Sequence, residues 1–135
     1  MKKQTDNPAE VSAKFLARLK KEEYCYLTTT GRVSGKPHEI EIWFGLKDNI
    51  LYLLSGGRDK SDWVKNLLKN PSVTVRIANR TFKAAARFVK DKKEEAMARY
   101  LLAEKYQEWE AGRTLSGWAR TALSIAIDLS PSKDQ

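Results

Sequence analysis

The sequence predicts an α+β fold, a six-stranded, mostly antiparallel β-barrel with N-terminal, inserted and C-terminal helices, in a single domain over residues 1–135. Three observations lead there. Short stretches rich in β-branched and aromatic residues, several alternating apolar with polar, recur along the chain. The early ones are joined by loops too short for the helical crossover that a parallel pair needs. A chain of 135 residues also buries a sizeable core without disulfides or metals.

The elements follow in order. Asn7 caps a first helix, Pro8 sits at its first position, and Glu10 falls three residues after the cap. Val11, Phe15 and Leu19 share one face of that helix. Tyr24 to Thr29 reads as a strand, and Ile40, Ile42 and Phe44 alternate with Glu39, Glu41 and Trp43 in the next. Trp43 faces away from Ile42, which places it in a cleft or a subunit interface. Asp48-Asn49 makes a turn, and the apolar run Ile50 to Leu54 is a more fully buried strand.

Ser61 caps a short helix whose face holds Trp63, Val64, Leu67 and Leu68, and Asn70-Pro71 ends it. Val73, Val75 and Ile77 alternate as a strand that turns at Asn79-Arg80 and pairs with Thr81 to Val89. Ala84-Ala85-Ala86 in that partner is a poor β former, so something requires small side chains there. Asp91 and Glu94 form a capping box for a helix carrying Met97, Leu101, Leu102 and Tyr106, which ends at Ala111-Gly112. A short helix around Trp118 and a strand from Ile125 to Leu129 complete the order α-β-β-β-α-β-β-α-α-β.

Composition excludes several classes. A single cysteine, Cys25, permits no internal disulfide, and a single histidine, His38, permits no multi-histidine metal site within one chain. Cys25 in a strand reads as a buried hydrophobe rather than a nucleophile. The start of the sequence leads into no apolar leader segment and no run is long enough to span a bilayer, so a cytoplasmic protein is expected. The net charge is +8, and residues 61–90 hold seven cations against one acid, Asp62. A basic stripe of this kind suits nucleic acid, a membrane surface or an anionic small molecule, and equally a solvated face.

Two loops point to an anionic cofactor. Thr28-Thr29-Thr30-Gly31-Arg32-Val33-Ser34-Gly35-Lys36-Pro37-His38 combines hydroxyls, cations and glycines at the end of a strand. Ser55-Gly56-Gly57-Arg58-Asp59-Lys60-Ser61-Asp62-Trp63 is a second small-residue loop that opens a helix. With Ser61 to Leu67 and Asn70-Pro71-Ser72-Val73, these segments resemble the deazaflavin (F420)-dependent nitroreductase and quinone-reductase family. That family has the split β-barrel fold shared with FMN-binding, pyridoxamine-phosphate oxidase-like proteins. The match runs from about Tyr24 to Val89.

The resemblance implies a phosphate-binding loop at Gly31, Arg32, Val33, Ser34 and Gly35. Val33 stands where the family usually has lysine, which leaves Lys36 or His38 to compensate. By the same resemblance Pro37, His38, Glu39, Ile40 and the residues up to Trp43 line the cofactor. Ser55, Gly56, Gly57, Lys60, Ser61, Asp62, Trp63 and Asn66 cover its ring and tail, and Tyr106 closes over the substrate as a proton donor. The implied activity is hydride transfer from reduced F420 to a small-molecule electron acceptor (a quinone, enone or nitro compound) by a homodimer. The alternatives are an FMN-binding protein of the same fold and a flavin, deazaflavin or haem binding module without turnover. Nucleic acid is not expected, because the alanines of the basic strand argue for packing rather than base stacking.

Overall fold

The computed structural model describes residues 13–129. Among them are helices α1 (Ala13–Leu19), α2 (Asp62–Lys69), α3 (Lys92–Gln107) and α4 (Gly117–Thr121), and a 3-10 turn at Arg58–Lys60. Seven strands, β1 (Cys25–Thr30), β2 (Pro37–Ile42), β3 (Gly45–Lys47), β4 (Ile50–Ser55), β5 (Ser72–Ile77), β6 (Arg80–Phe88) and β7 (Leu123–Asp128), form a curled antiparallel sheet ordered β2-β1-β5-β6-β7-β4-β3. The α+β half-barrel expected from the sequence is present, with seven strands where six were expected. The extra one, β3, is three residues long and too short to show a period. It pairs with β4 across a two-residue turn at Asp48-Asn49, where Asp48 is left-handed at φ 55. The helix signals at Asn7, Pro8, Glu10 and Val11 lie outside the described residues.

The sheet separates two cores. Inside the curl, Leu27, Phe44, Leu51, Leu53, Val75 and Ile125 are fully buried. On the outer side of β4 and β7, Tyr52, Leu54, Ala122 and Ala126 pack against Ala98 and Leu102 of α3. Strand β4 is thus covered on both faces, which accounts for its unbroken apolar run. Each large side chain so buried contributes about 1.5–3 kcal/mol.

Strand β6 joins the two halves. Its first part pairs with β5 as far as Ala85, and Ala86 to Phe88 pair with β7. The three alanines therefore lie where the strand changes partner, and Ala84 and Ala86 pack against the inner core. The β5–β6 turn sits at Ala78-Asn79, one residue earlier than expected, with Ala78 at φ 54.

Three local expectations are corrected. Leu68 is 62% exposed, because the buried face of α2 is turned toward Val64, Asn66 and Leu67. Ser61 occupies the cap position of α2 without a side-chain capping bond, since its hydroxyl pairs with Ser55 Oγ at 2.8 Å. Helix α3 stops at Gln107, not at Ala111-Gly112: Glu108 takes a left-handed conformation and its N–H donates to the Ala103 carbonyl. The chain then folds back so that Trp109 stacks on Tyr100 at 4.7 Å and donates its indole N–H to Arg113 O. The Asp91–Glu94 cap does form at the other end, Asp91 Oδ2 accepting from the Glu94 N–H at 2.9 Å.

Glu94 also ties α3 to the sheet. Tyr52 donates to its Oε2 at 2.7 Å, and Arg87 grips both oxygens at 2.9 and 2.6 Å. The Arg87 guanidinium holds the carboxyl down from its ordinary 4.5 to about 2. A depressed carboxyl stabilises the fold above its ordinary value and loses that contribution as pH falls toward the folded one. Because Arg87 is half exposed, screening holds the effect to about 1 kcal/mol. Glu94→Gln is expected to lower the urea midpoint at pH 7 and to leave it close to wild type at pH 2. Equal losses at both pH values would show that packing, not charge, is what Glu94 supplies.

Candidate functional site

The β1–β2 loop is a closed turn. Gly31 N–H donates to Lys36 O at 2.7 Å, Gly35 N–H to Gly31 O at 2.9 Å and Lys36 N–H to Ser34 Oγ at 3.1 Å. Gly35 is left-handed at φ 73, where its lack of a Cβ avoids a steric penalty. A Cβ at Gly31 would stand 2.7 Å from both His38 Nε2 and Ser34 Oγ, so a hydroxyl and an imidazole converge over that glycine. Several amides that the sequence offers to an anion are spent within the turn. The polar side chains of Ser34, Lys36 and His38 lie on an exposed stretch, and Val33 is 95% exposed.

Asn66 locks this loop to α2. The residue is 5% exposed; its Oδ1 accepts from the Arg32 N–H at 3.1 Å and from Arg32 Nη1 at 2.9 Å. Its Nδ2 donates to Thr29 Oγ1 at 3.0 Å. Arg32 is further held by the Asp62 carboxylate at 3.1 Å and by the Asp62 carbonyl at 3.3 Å. Its guanidinium therefore braces the loop against the start of α2. The second loop is braced as well: Ser55 Oγ donates to Arg58 O at 2.9 Å, and a Cβ on Gly57 would stand 2.6 Å from Ser61 Oγ. Arg58, left-handed at φ 54, donates to the Thr121 carbonyl and so ties this loop to α4.

Beyond the second loop lies an open cavity of about 380 Å³. Tyr24, Trp43 and Trp118 give it aromatic walls, Ile42 and Leu54 add apolar surface, and Glu41 and Gln107 are its polar members. Trp43 stacks on Tyr106 at 4.3 Å and meets Trp118 edge-on at 5.5 Å. Trp118 also reaches Gly56, where an added Cβ would stand 3.1 Å from its Cδ1. The cavity and the Ser55-Gly56-Gly57 loop are therefore neighbours.

Tyr106 pins the corner between β2 and β3. Its hydroxyl accepts from the Phe44 N–H at 3.0 Å, and its one proton faces the carbonyls of Glu23 at 2.7 Å and Phe44 at 2.9 Å. Burial pushes this phenol well above its ordinary value. Lys105 completes the corner, its Nζ 3.2 Å from Phe44 O and 3.7 Å from the Phe44 ring centre, and burial lowers that amine to about 8. Burial also raises the Cys25 thiol to about 12, which suits the inert hydrophobe expected of it.

The structure brings most of the expected residues into two adjoining groups. Gly31, Arg32, Ser34, Gly35, Lys36, Pro37 and His38 form one, joined to Asp62 and Asn66. Ser55, Gly56, Gly57, Lys60 and Ser61 form the other. Ile40 and Trp63 pack instead against the inner core, and Glu39 lies on the outer face of the sheet, 3.7 Å from Arg76. Of the residues that line the cavity, Glu41, Ile42 and Trp43 fall in the stretch that the resemblance assigns to the cofactor, whereas Tyr24, Leu54, Gln107 and Trp118 were not singled out as site residues. Trp43 carried a further signal, its side opposite Ile42; Trp118 lies 75 residues farther along and shares no local pattern with it.

Solved structures with the same fold include an F420 reductase, 18% identical over 93% of this chain and 100% of its own, with a TM-score of 0.62. An F420-H2 dependent reductase is 20% identical over 78% of this chain and 94% of its own, with a TM-score of 0.60. The heme storage protein from Vibrio cholerae is 15% identical over 91% and 92%, with a TM-score of 0.68. At such identities the likeness shows the fold alone. No curated protein matches the chain significantly. The profile of the F420H2-dependent quinone reductase family, however, matches residues 1–123, nearly the whole sequence. The chain therefore belongs to the F420H2-dependent quinone reductase family, a family of oxidoreductases that use the deazaflavin coenzyme F420.

Proposed function

We propose that this chain passes a hydride from reduced F420 to a quinone, enone or nitro acceptor bound in the aromatic cavity. One observation carries the reading: an unbroken run of contacts links the Gly31–Lys36 loop, through Asn66 and Asp62, to the Ser55–Gly57 loop and on to Trp118 at the cavity.

The residues fit the coenzyme. Its phosphate suits Ser34 and His38, which gather about a glycine whose Cβ would occupy the same space, with Lys36 in the same turn. With Arg32 bound to Asp62 and valine at position 33, Lys36 supplies the charge there and His38 a ring nitrogen. Its flat ring suits a cavity with two tryptophan walls. When bound in reduced form, F420 supplies the hydride. The protein positions the reactants and supplies charge. Trp43 and Trp118 shield the reacting faces, and Tyr106 acts as a positioning residue that holds Trp43 by stacking on it.

The same reading makes the protein a cytoplasmic homodimer. The outer face of β1, β2 and β5 supports a second copy: together with β6 it presents the exposed Glu39 and Lys83 and the partly exposed Tyr26 and Arg76. No helix among the described residues is long and apolar enough to cross a membrane.

Titration with F420 and with FMN, followed by coenzyme fluorescence, tests the reading. F420 is expected to bind the tighter of the two, and its reduced form to be oxidised when menadione, cyclohexenone or a nitroaromatic is added. Preference for FMN, or binding of F420 without oxidation by any of the three, would overturn it.

A further inference from the structure

Charge at the cavity runs against the charge of the protein. The chain carries a net +8, yet the residues lining the cavity include one carboxylate, Glu41, and no lysine, arginine or histidine. Glu41 is exposed, and its Oε2 accepts from the Tyr26 hydroxyl at 2.7 Å. Among the described residues no cation pairs with it. Arg76, which opposes Tyr26 across β1, is held by Glu39 at 3.7 Å and lies over the Tyr26 ring at 4.2 Å. Glu41 is thus held by a hydroxyl, and it borders the cavity.

Tyr24, Trp43 and Trp118 line the same cavity with aromatic surface. A cation beside π faces is attracted by the ring quadrupoles, most strongly by tryptophan. A carboxylate within a few ångströms adds a Coulomb term of the same sign. Trp43 is also kept in place from behind by the Tyr106 stack, so the wall need not be ordered when a ligand arrives.

We infer that the cavity selects planar heteroaromatic cations, with Glu41 as the residue that sets the charge preference. The inference rests on the proposed function only in making such a cation a hydride acceptor. In that role the cation gains two electrons and one hydrogen as hydride and becomes a neutral dihydro ring. Reduced F420 is oxidised in the same event, and one proton passes to water.

Three probes built on one ring system test this: N-methylphenazinium, neutral phenazine and phenazine-1-carboxylate, titrated into the full-length chain and followed by tryptophan quenching. The cation is expected to bind about tenfold more tightly than the carboxylate. In Glu41→Gln that ratio is expected to fall to about threefold or less, and raising the salt concentration should reduce it in the wild type. Trp118→Phe is expected to weaken all three probes together. Equal affinities in the wild type, or an undiminished ratio in Glu41→Gln, would overturn the inference. Turnover of menadione is read separately. Hydride transfer without a cation preference sinks the inference alone, whereas a cation preference in a protein that oxidises no reduced F420 sinks the oxidoreductase reading and leaves the binding selectivity in place.

Discussion

Replacing Asn66 with alanine is expected to cost about 2–4 kcal/mol of stability and to raise the Kd for F420 at least tenfold. The carboxamide spans two elements that are neighbours only in the folded chain. It accepts twice from Arg32 and donates once to buried Thr29. Truncation leaves the Thr29 hydroxyl and the Arg32 amide without partners, and a buried polar group stripped of its partner costs about 1–3 kcal/mol. The two penalties do not simply add, because Arg32 is 35% exposed and water can reach part of the gap.

The effect on binding follows from the same bonds. With Asn66 gone, the β1–β2 loop keeps only the Arg32–Asp62 contacts to α2, and Asp62 is itself highly exposed. A loosened anion loop must be ordered again at each binding event, and that entropy is lost from affinity. Asn66→Asp separates the two roles. It keeps an acceptor for Arg32 and loses the donor to Thr29, so its Kd should lie nearer wild type than its stability does. The checks are urea unfolding and a fluorescence titration with F420. Alanine that destabilises the fold while leaving the F420 Kd unchanged would mean that the β1–β2 loop does not hold the coenzyme.

The second large effect is expected at Tyr106. Tyr106→Phe keeps the ring stacked on Trp43 but removes the hydroxyl that serves the Phe44 N–H and the carbonyls of Glu23 and Phe44. Lys105 still reaches the Phe44 carbonyl, so the chief loss is a partner for the Phe44 amide and the Glu23 carbonyl. The expected cost is about 1–3 kcal/mol. For catalysis, a positioning residue predicts a raised KM for the acceptor, as the ring that backs Trp43 loses its anchoring hydroxyl, with little change in the shape of the kcat–pH profile. A proton donor predicts the reverse, a large fall in kcat with stability and KM preserved. Burial makes the phenol a poor acid, which favours the first outcome.

Much of the fold was legible because it follows from local rules. Cys25 to Thr30, Pro37 to Ile42 and Ser72 to Ile77 show the period of two that a half-covered strand imposes. Asp91 announced the start of α3, since a cap depends on residues three apart. Where the local reading failed, a distant contact had overridden it. Leu68 was placed on the buried face of α2 by spacing alone, but the contacts of Asn66 with Thr29 and Arg32 turn that face elsewhere. Ser61 has the right residue type for a cap, yet Ser55, across the intervening loop, takes its hydroxyl. The end of α3 was assigned to Gly112, while the Tyr100–Trp109 stack accompanies a left-handed Glu108 four residues earlier.

The site divides along the same line. Gly31, Ser34, Lys36, His38 and the Ser55–Gly57 segment are readable as sequence, because a phosphate-friendly loop is made of residue types at close spacing. The aromatic cavity is not. Tyr24, Glu41, Trp43, Leu54, Gln107 and Trp118 come from five parts of the chain and meet only when the sheet curls and α3 and α4 cover its outer half. By itself the amino-acid order determined the elements, the caps and turns, the basic balance and the family, since each rests on neighbours along the chain. Only the tertiary structure decided that Arg32 is a brace, that Tyr106 is a pin and that a carboxylate faces the cavity. Those roles depend on which distant group takes each hydrogen bond, and packing alone settles that competition.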